Sequence, residues 1–213
     1  MGVKLGGLYV ISDTGFSIGR GHEEVVLAAI RGGAGVVQLR EKALSLKDIY
    51  PVALRLRDIT RDAGVVFIVN DSVELAMAVE ADGVYLGQGD MPVGIARKLL
   101  GEGRLIGIST HSLEEALTAE ADGADYIGFG PIYKTSTKDS GTPKGPEGLR
   151  AIREKINIPI VAIGGIDAEN ASAVIQAGAD AVAVISAVTA VEDITAAAKN
   201  IAGQFVKGGR SYV

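Results

Sequence analysis

Short, unbroken apolar runs alternate along this chain with longer stretches in which apolar residues recur at helical spacing. Eight runs read as strands buried on both faces: LYVIS (8–12), VVQLR (36–40), VFIVN (66–70), GVYLG (83–87), LIGIS (105–109), YIGFG (126–130), IVAIG (160–164) and AVAVIS (181–186). Between them, HEEVVLAAIRGG and SLEEALTAEADG carry the helical period, and the second opens with the capping-box pattern Ser112-x-x-Glu115. One junction recurs, a helix ending in small residues and, in most copies, Asp, followed at once by an apolar run: RGGAGVVQLR, EADGVYLGQ, DGADYIGFG and AGADAVAVIS. Gly tolerates the left-handed backbone that ends a helix, so each copy reads as an αβ turn. Eight alternating units in 213 residues, with no linker between them, predict an α/β protein that is a single (β/α)8 TIM barrel across residues 1–213. A doubly wound open sheet is the competing architecture.

A barrel puts its chemistry at the C-terminal ends of the strands. There the chain carries Gln38, Arg40 and Lys42, then Asn70 and Asp71, then Gln88 and Asp90, then Ser109, Thr110 and His111. A long polar loop, GPIYKTSTKDSGTPKG (130–145), follows the sixth run, and Gly164, Gly165 and Ser186 follow the last two. In QLREK, Gln38, Arg40 and Lys42 stand at alternate positions; on a continuing strand they share a face and present two cations to an anion. The alternative is surface charge paired with Glu41. Asp71 and Asp90, from adjacent strand ends, suit a hard cation such as Mg²⁺ completed by substrate phosphates; alternatively, Asp71 caps the helix beginning at Ser72. Thr135, Thr137 and Lys138 offer hydroxyl, amide and ammonium donors to phosphate oxygens, unless the loop is only a solvated connection. The turns at Gly165 and Ser186 lie where barrels often hold phosphate on backbone amides. Two phosphate-binding regions facing one pocket suit an enzyme that joins two phosphorylated small molecules. His111 is either a general base or structural, and His22 is assigned no role.

Composition narrows the partners. A net charge of -5 with 47% apolar and 22% charged residues leaves no electrostatic footprint for nucleic acid or an anionic membrane. Any cationic site is therefore local. The chain has no cysteine, which excludes disulfides, thiolate metal sites and cysteine nucleophiles. Its opening apolar run is too short for a signal peptide or a membrane span, so the chain is read as cytoplasmic. A homo-oligomer is compatible with all of this.

QLREK, VNDSVELA, ADGVYLGQGD, IGISTHSLEEA, ADYIGFGPIYKTSTK and VAIGGIDAEN occur in that order across nearly the whole chain. Together they resemble thiamine phosphate synthase, also called thiamine phosphate pyrophosphorylase. The resemblance implies a TIM-barrel transferase of thiamine biosynthesis. It would couple 4-amino-5-hydroxymethyl-2-methylpyrimidine diphosphate to 4-methyl-5-(2-phosphoethyl)thiazole, or its carboxylated form, by a dissociative, Mg²⁺-assisted substitution that releases pyrophosphate. Carried over by position, the resemblance assigns Gln38, Arg40, Lys42, Asn70, Ser109 and Lys138 to the pyrimidine diphosphate. Arg40, Lys42, Ser109 and Lys138 would be catalytic, and Asp71 and Asp90 would hold Mg²⁺. Thr135, Thr137, Gly165, Ile185 and Ser186 would bind the thiazole phosphate. The chain departs from the pattern at Tyr85, where many relatives have His, and at Asp139, where a second Lys often follows Lys138. Three rivals stay open: a related thiazole tautomerase using a histidine at position 111, a non-catalytic barrel that binds a phosphorylated ligand, and a different barrel enzyme. The tautomerase is expected to lack the paired acids and the full threonine-lysine loop.

Overall fold

The computed structural model describes residues 5–135 and 141–207. Among them, eight strands form: β1 (Gly7–Ser12), β2 (Ala34–Leu39), β3 (Val66–Asn70), β4 (Gly83–Leu86), β5 (Leu105–Thr110), β6 (Tyr126–Phe129), β7 (Ile160–Ile163) and β8 (Ala181–Val184). Helices follow them: α1 (His22–Arg31), α2 (Leu46–Ala63), α3 (Val73–Ala78), α4 (Val93–Leu100), α5 (Leu113–Ala121), α6 (Gly145–Arg153), α7 (Ala171–Gln176), the short α8 (Ser186–Thr189) and α9 (Ile194–Lys207). Consecutive strands pair in parallel and β8 returns to β1, which closes the barrel. The eight apolar runs are these strands, and closure excludes the open sheet.

Unbroken apolar runs are what a closed parallel sheet requires, because each strand is buried on both faces. On β1, Leu8 and Val10 pack outward against the helices while Tyr9 and Ile11 turn into the barrel. The same alternation sends Phe67 and Val69 outward from β3 and Ile68 inward, and it puts Val161 inside between Ile160 and Ala162. Three tyrosines fill much of the interior. Tyr85 and Tyr126 stack with ring centroids 6.1 Å apart, Tyr9 and Tyr126 join hydroxyls at 3.3 Å, and Gln38 Nε2 donates to Tyr9 Oη at 2.7 Å. Glycines face the rings: a Cβ on Gly107 would lie 2.1 Å from Tyr126 Cζ, and one on Gly128 would lie 1.9 Å from Tyr85 Oη. Burial raises all three phenols above their ordinary range, Tyr85 to about 12, so each stays protonated and able to donate.

The recurring αβ junction has a physical reason. Asp82, Asp125 and Asp180, which precede β4, β6 and β8, each accept a backbone N–H from the preceding strand: Phe67 at 2.8 Å, Ile106 at 2.7 Å and Ile160 at 2.9 Å. Each also meets an arginine from the helix before that strand, Arg57, Arg97 and Arg153 in turn. One carboxylate thus ties two strands to a helix at the N-terminal face. The first copy has no acid and is sealed by close packing instead, since a Cβ on Gly32 would lie 2.4 Å from Ala198 Cβ on α9. At EADG the left-handed residue is Glu80, with φ 53°, rather than a glycine. Gly83 serves a close strand approach, because its Cβ would meet Leu105 O at 2.3 Å.

Asp125→Ala removes the acceptor for the Ile106 N–H and leaves Arg97 without its carboxylate. We expect a loss of roughly 1–3 kcal/mol, seen as a fall of about 2–12 °C in Tm. The fold places this acid away from the strand ends that carry the chemistry, so turnover at low temperature should be unchanged. An unaltered Tm would show that the junction does not stabilise the barrel.

Candidate active site

The C-terminal ends of the strands open on a cleft. Strand alternation decides which side chains reach it. Gln38 follows inward-facing Val36, with Arg40 two residues on; Asn70 follows Ile68, and Ser109 lies two residues beyond Gly107. Gln38, Arg40, Asn70 and Ser109 line the cleft from the ends of β2, β3 and β5, and Thr135, Gly165, Ile185 and Ser186 line it after β6, β7 and β8. Tyr85, on β4, also lines the cleft, and its side chain hydrogen-bonds that of Ser109.

Lys42 falls outside this lining. Strand β2 ends at Leu39, and Lys42 sits on the rim, 58% exposed in its side chain, in an ion pair with Asp71. Glu41 pairs with neither Arg40 nor Lys42, so the reading of QLREK as self-paired surface charge does not hold. Its side chain turns away from the cleft to the β1–α1 segment, accepts from Thr14 Oγ1 at 2.6 Å and Ala43 N at 2.7 Å, and meets His22 Nε2 at 3.2 Å. Burial opposes ionisation there, but these donors outweigh it and hold the Glu41 carboxyl down at about 2.

Asp71 does not cap α3: Ser72 does, accepting from Leu75 N at 3.1 Å. Asp71 instead has φ 63°, a left-handed conformation unusual for a residue with a side chain, held by its N–H bond to Tyr85 O at 2.8 Å. Asp90 lies in the turn after β4 and is exposed, with Oδ2 accepting from Gly87 N at 2.6 Å. No group of three or more His, Cys, Asp or Glu side chains gathers as a cage among the described residues. Asp71 and Asp90 supply carboxylate oxygens, the donor type Mg²⁺ takes, at the ends of adjacent strands, with Asp71 ion-paired to Lys42.

The long polar loop is clasped at its neck. Ile132 N donates to Ile163 O and Tyr133 N to Gly164 O, both at 2.9 Å. On the return, Lys144 N donates to Pro131 O at 2.8 Å and Gly145 N to Ile132 O at 2.9 Å. The close approach requires glycine at 165, whose φ is 65° and whose Cβ would lie 2.6 Å from Lys134 O. Thr137, Lys138 and Asp139 lie outside the described residues. After β8, Ile185 precedes α8 and Ser186 opens it; this short extra helix stands where barrels often seat a phosphate.

His111 also lines the cleft, with Nδ1 3.2 Å from Glu115 Oε2. A carboxylate can only accept, so Nδ1 carries the proton in that contact. Glu115 accepts from His111 N at 2.6 Å as well, and Ser112 Oγ accepts from Glu115 N at 3.1 Å, which completes the predicted cap one residue early. Sequence reading gives two residues no role: Tyr85, noted only as a departure from the family pattern within an ordinary apolar run, and His22, whose partners Ser12 and Glu41 are distant in sequence and give no local signal.

The family described as thiamine monophosphate synthase matches residues 8–188. A thiamine-phosphate synthase of Chloroflexus aurantiacus is 57% identical over 195 residues, covering 91% of this chain and 90% of that protein. One of Moorella thermoacetica is 51% identical, covering 91% and 93%. Among solved structures, a thiamine phosphate pyrophosphorylase from Pyrococcus furiosus superposes with a TM-score of 0.88 at 42% identity, covering 94% of this chain and 96% of that one. A barrel-wide match at these identities leaves one conclusion: the chain belongs to the thiamine monophosphate synthase family.

Proposed function

We propose that this barrel, a transferase of thiamine biosynthesis, makes thiamine phosphate in the cleft, with its two phosphorylated substrates held at opposite walls. The observation that carries this reading is which strands supply the lining around the closed barrel: amide, guanidinium and hydroxyl groups of Gln38, Arg40, Asn70 and Ser109 on the β2–β5 wall, the Gly165 turn and the start of α8 on the β7–β8 wall. The first wall suits the pyrimidine diphosphate, and the second, with Thr135, suits the thiazole phosphate.

In the reaction, the bond between the pyrimidine methylene carbon and the diphosphate oxygen breaks, and its electron pair leaves on oxygen. The lone pair of the thiazole nitrogen then forms the new bond to carbon. Charge grows on the leaving diphosphate, so Arg40, Lys42 and Lys138 would act by stabilising it as it develops. Ser109 would position the pyrimidine over Tyr85, and the apolar floor would keep water from the carbon centre. Mg²⁺, when held by Asp71 and Asp90, would neutralise and template the diphosphate oxygens. No protein nucleophile is needed. A cytoplasmic setting belongs to the same reading: the chain has no cysteine, and no helix among the described residues is long and apolar enough to cross a membrane.

Thiamine phosphate formation from both substrates, with Mg²⁺ and with EDTA, tests the whole reading. Turnover should require both substrates and the metal; isomerisation of the thiazole without coupling would favour the tautomerase. Asp90→Ala should lower kcat/KM by roughly 100-fold or more with the circular dichroism spectrum unchanged, whereas full activity at saturating Mg²⁺ would remove Asp90 from the metal site. Ser186→Asp puts an anion where a phosphate should sit. The KM for the thiazole phosphate should rise about tenfold or more and that for the pyrimidine diphosphate by less than about threefold. Equal rises would contradict the assignment of walls.

A further inference from the structure

Arg40 and Lys42 stand just beyond the sheet, where a strand ladder no longer holds the backbone. The last β1–β2 register pair is Ser12 with Leu39, and after it a single bond, Arg40 N to Ser12 O at 3.0 Å, continues the pairing. Glu41, between the two cations, is fastened from the other side. Its carboxylate takes the Thr14 hydroxyl and the Ala43 N–H and lies against His22 Nε2. His22 Nδ1 is in turn 2.8 Å from Ser12 Oγ at the end of β1. Because the Glu41 carboxylate can only accept, His22 donates from Nε2, and Nδ1 pairs with the Ser12 hydroxyl. The His22 and Glu41 side chains are 4% and 6% exposed. Beside them, Asp13 accepts from Gly15 N at 2.9 Å and makes an ion pair with Arg40.

The order Ser12–His22–Glu41 is that of a hydrolase triad, but Ser12 is 1% exposed and none of the three lines the cleft. A nucleophile must meet its substrate. These groups touch the reaction only through the residues they hold.

We infer that Glu41, anchored by Thr14 and by the His22–Ser12 pair, is a positioning residue that fixes the Arg40–Lys42 segment so that both cations address the diphosphate. The inference rests on the proposed location of that diphosphate. With Glu41 drawn into the β1–α1 segment, Arg40 on one side of it reaches the cleft and Lys42 on the other stands at the rim. Transition-state stabilisation depends on donors held in place before charge develops, so a loosened segment should weaken the diphosphate wall and spare the thiazole wall.

The test is a double-mutant cycle on pyrophosphate binding, measured calorimetrically at fixed Mg²⁺ in the wild-type protein, Glu41→Gln, Arg40→Ala and the double variant. Glu41→Gln nearly preserves volume, and its Tm reports whether the fold survives. Expected is a loss of about tenfold in pyrophosphate affinity from Glu41→Gln when Arg40 is present and less than about twofold when it is absent, a coupling of the size usual for groups that act together. Affinity for the thiazole phosphate should be unchanged, which a general loosening of the barrel would not allow. Thr14→Val, which removes one donor and keeps the shape, should move pyrophosphate affinity in the same direction by about threefold. Equal losses with and without Arg40, or no loss at all, would overturn the positioning role. If Arg40→Ala itself leaves pyrophosphate affinity intact, the diphosphate lies elsewhere and the inference falls with that assignment.

Discussion

A closed parallel barrel allows each strand residue two directions, toward the axis or toward the helices, and it makes them alternate. Everything distinctive in this structure follows from that constraint. Residues that would face the axis one step above the packed interior become the lining of the cleft. Thus Gln38 and Arg40 continue the inward row of Val36, and Asn70 continues that of Ile68. The same rule turns Glu41 away from the cleft, where the β1–α1 loop receives it.

The interior beneath the cleft is a polar-edged plug. Tyr9, Tyr85 and Tyr126 supply apolar bulk, while their hydroxyls satisfy one another, Gln38 and Ser109. Phenols held protonated by burial keep those links intact across ordinary pH. The plug is continuous with the wall assigned to the pyrimidine diphosphate, so core packing and ligand placement share residues there. At the opposite end, Asp82, Asp125 and Asp180 tie strands to helices with no role in the cleft. Stability and chemistry therefore occupy different faces, as in other barrels.

The strands were legible because burial on both faces writes each one as an unbroken apolar run, and the cleft was legible because strand ends mark it. The αβ turns were visible as a repeat, although the pairing of each aspartate with an arginine from another helix was not, since that contact spans 25 to 28 residues. Lys42 was expected to share the face of Arg40, but the strand ends before it and its side chain goes to Asp71 instead. His22 could not be read at all. Its meaning comes from Ser12 and Glu41, 10 and 19 residues away, and the packing of β1, α1 and β2 brings them together.

The central claim is that one cleft carries two separate phosphate walls. Calorimetric titration of pyrophosphate with Mg²⁺ into protein already saturated with the thiazole phosphate tests it most directly. Pyrophosphate affinity within about threefold of that for the free protein is the predicted result, since independent sites add. Mutually exclusive binding would mean that both ligands compete for one phosphate site, and would contradict the account.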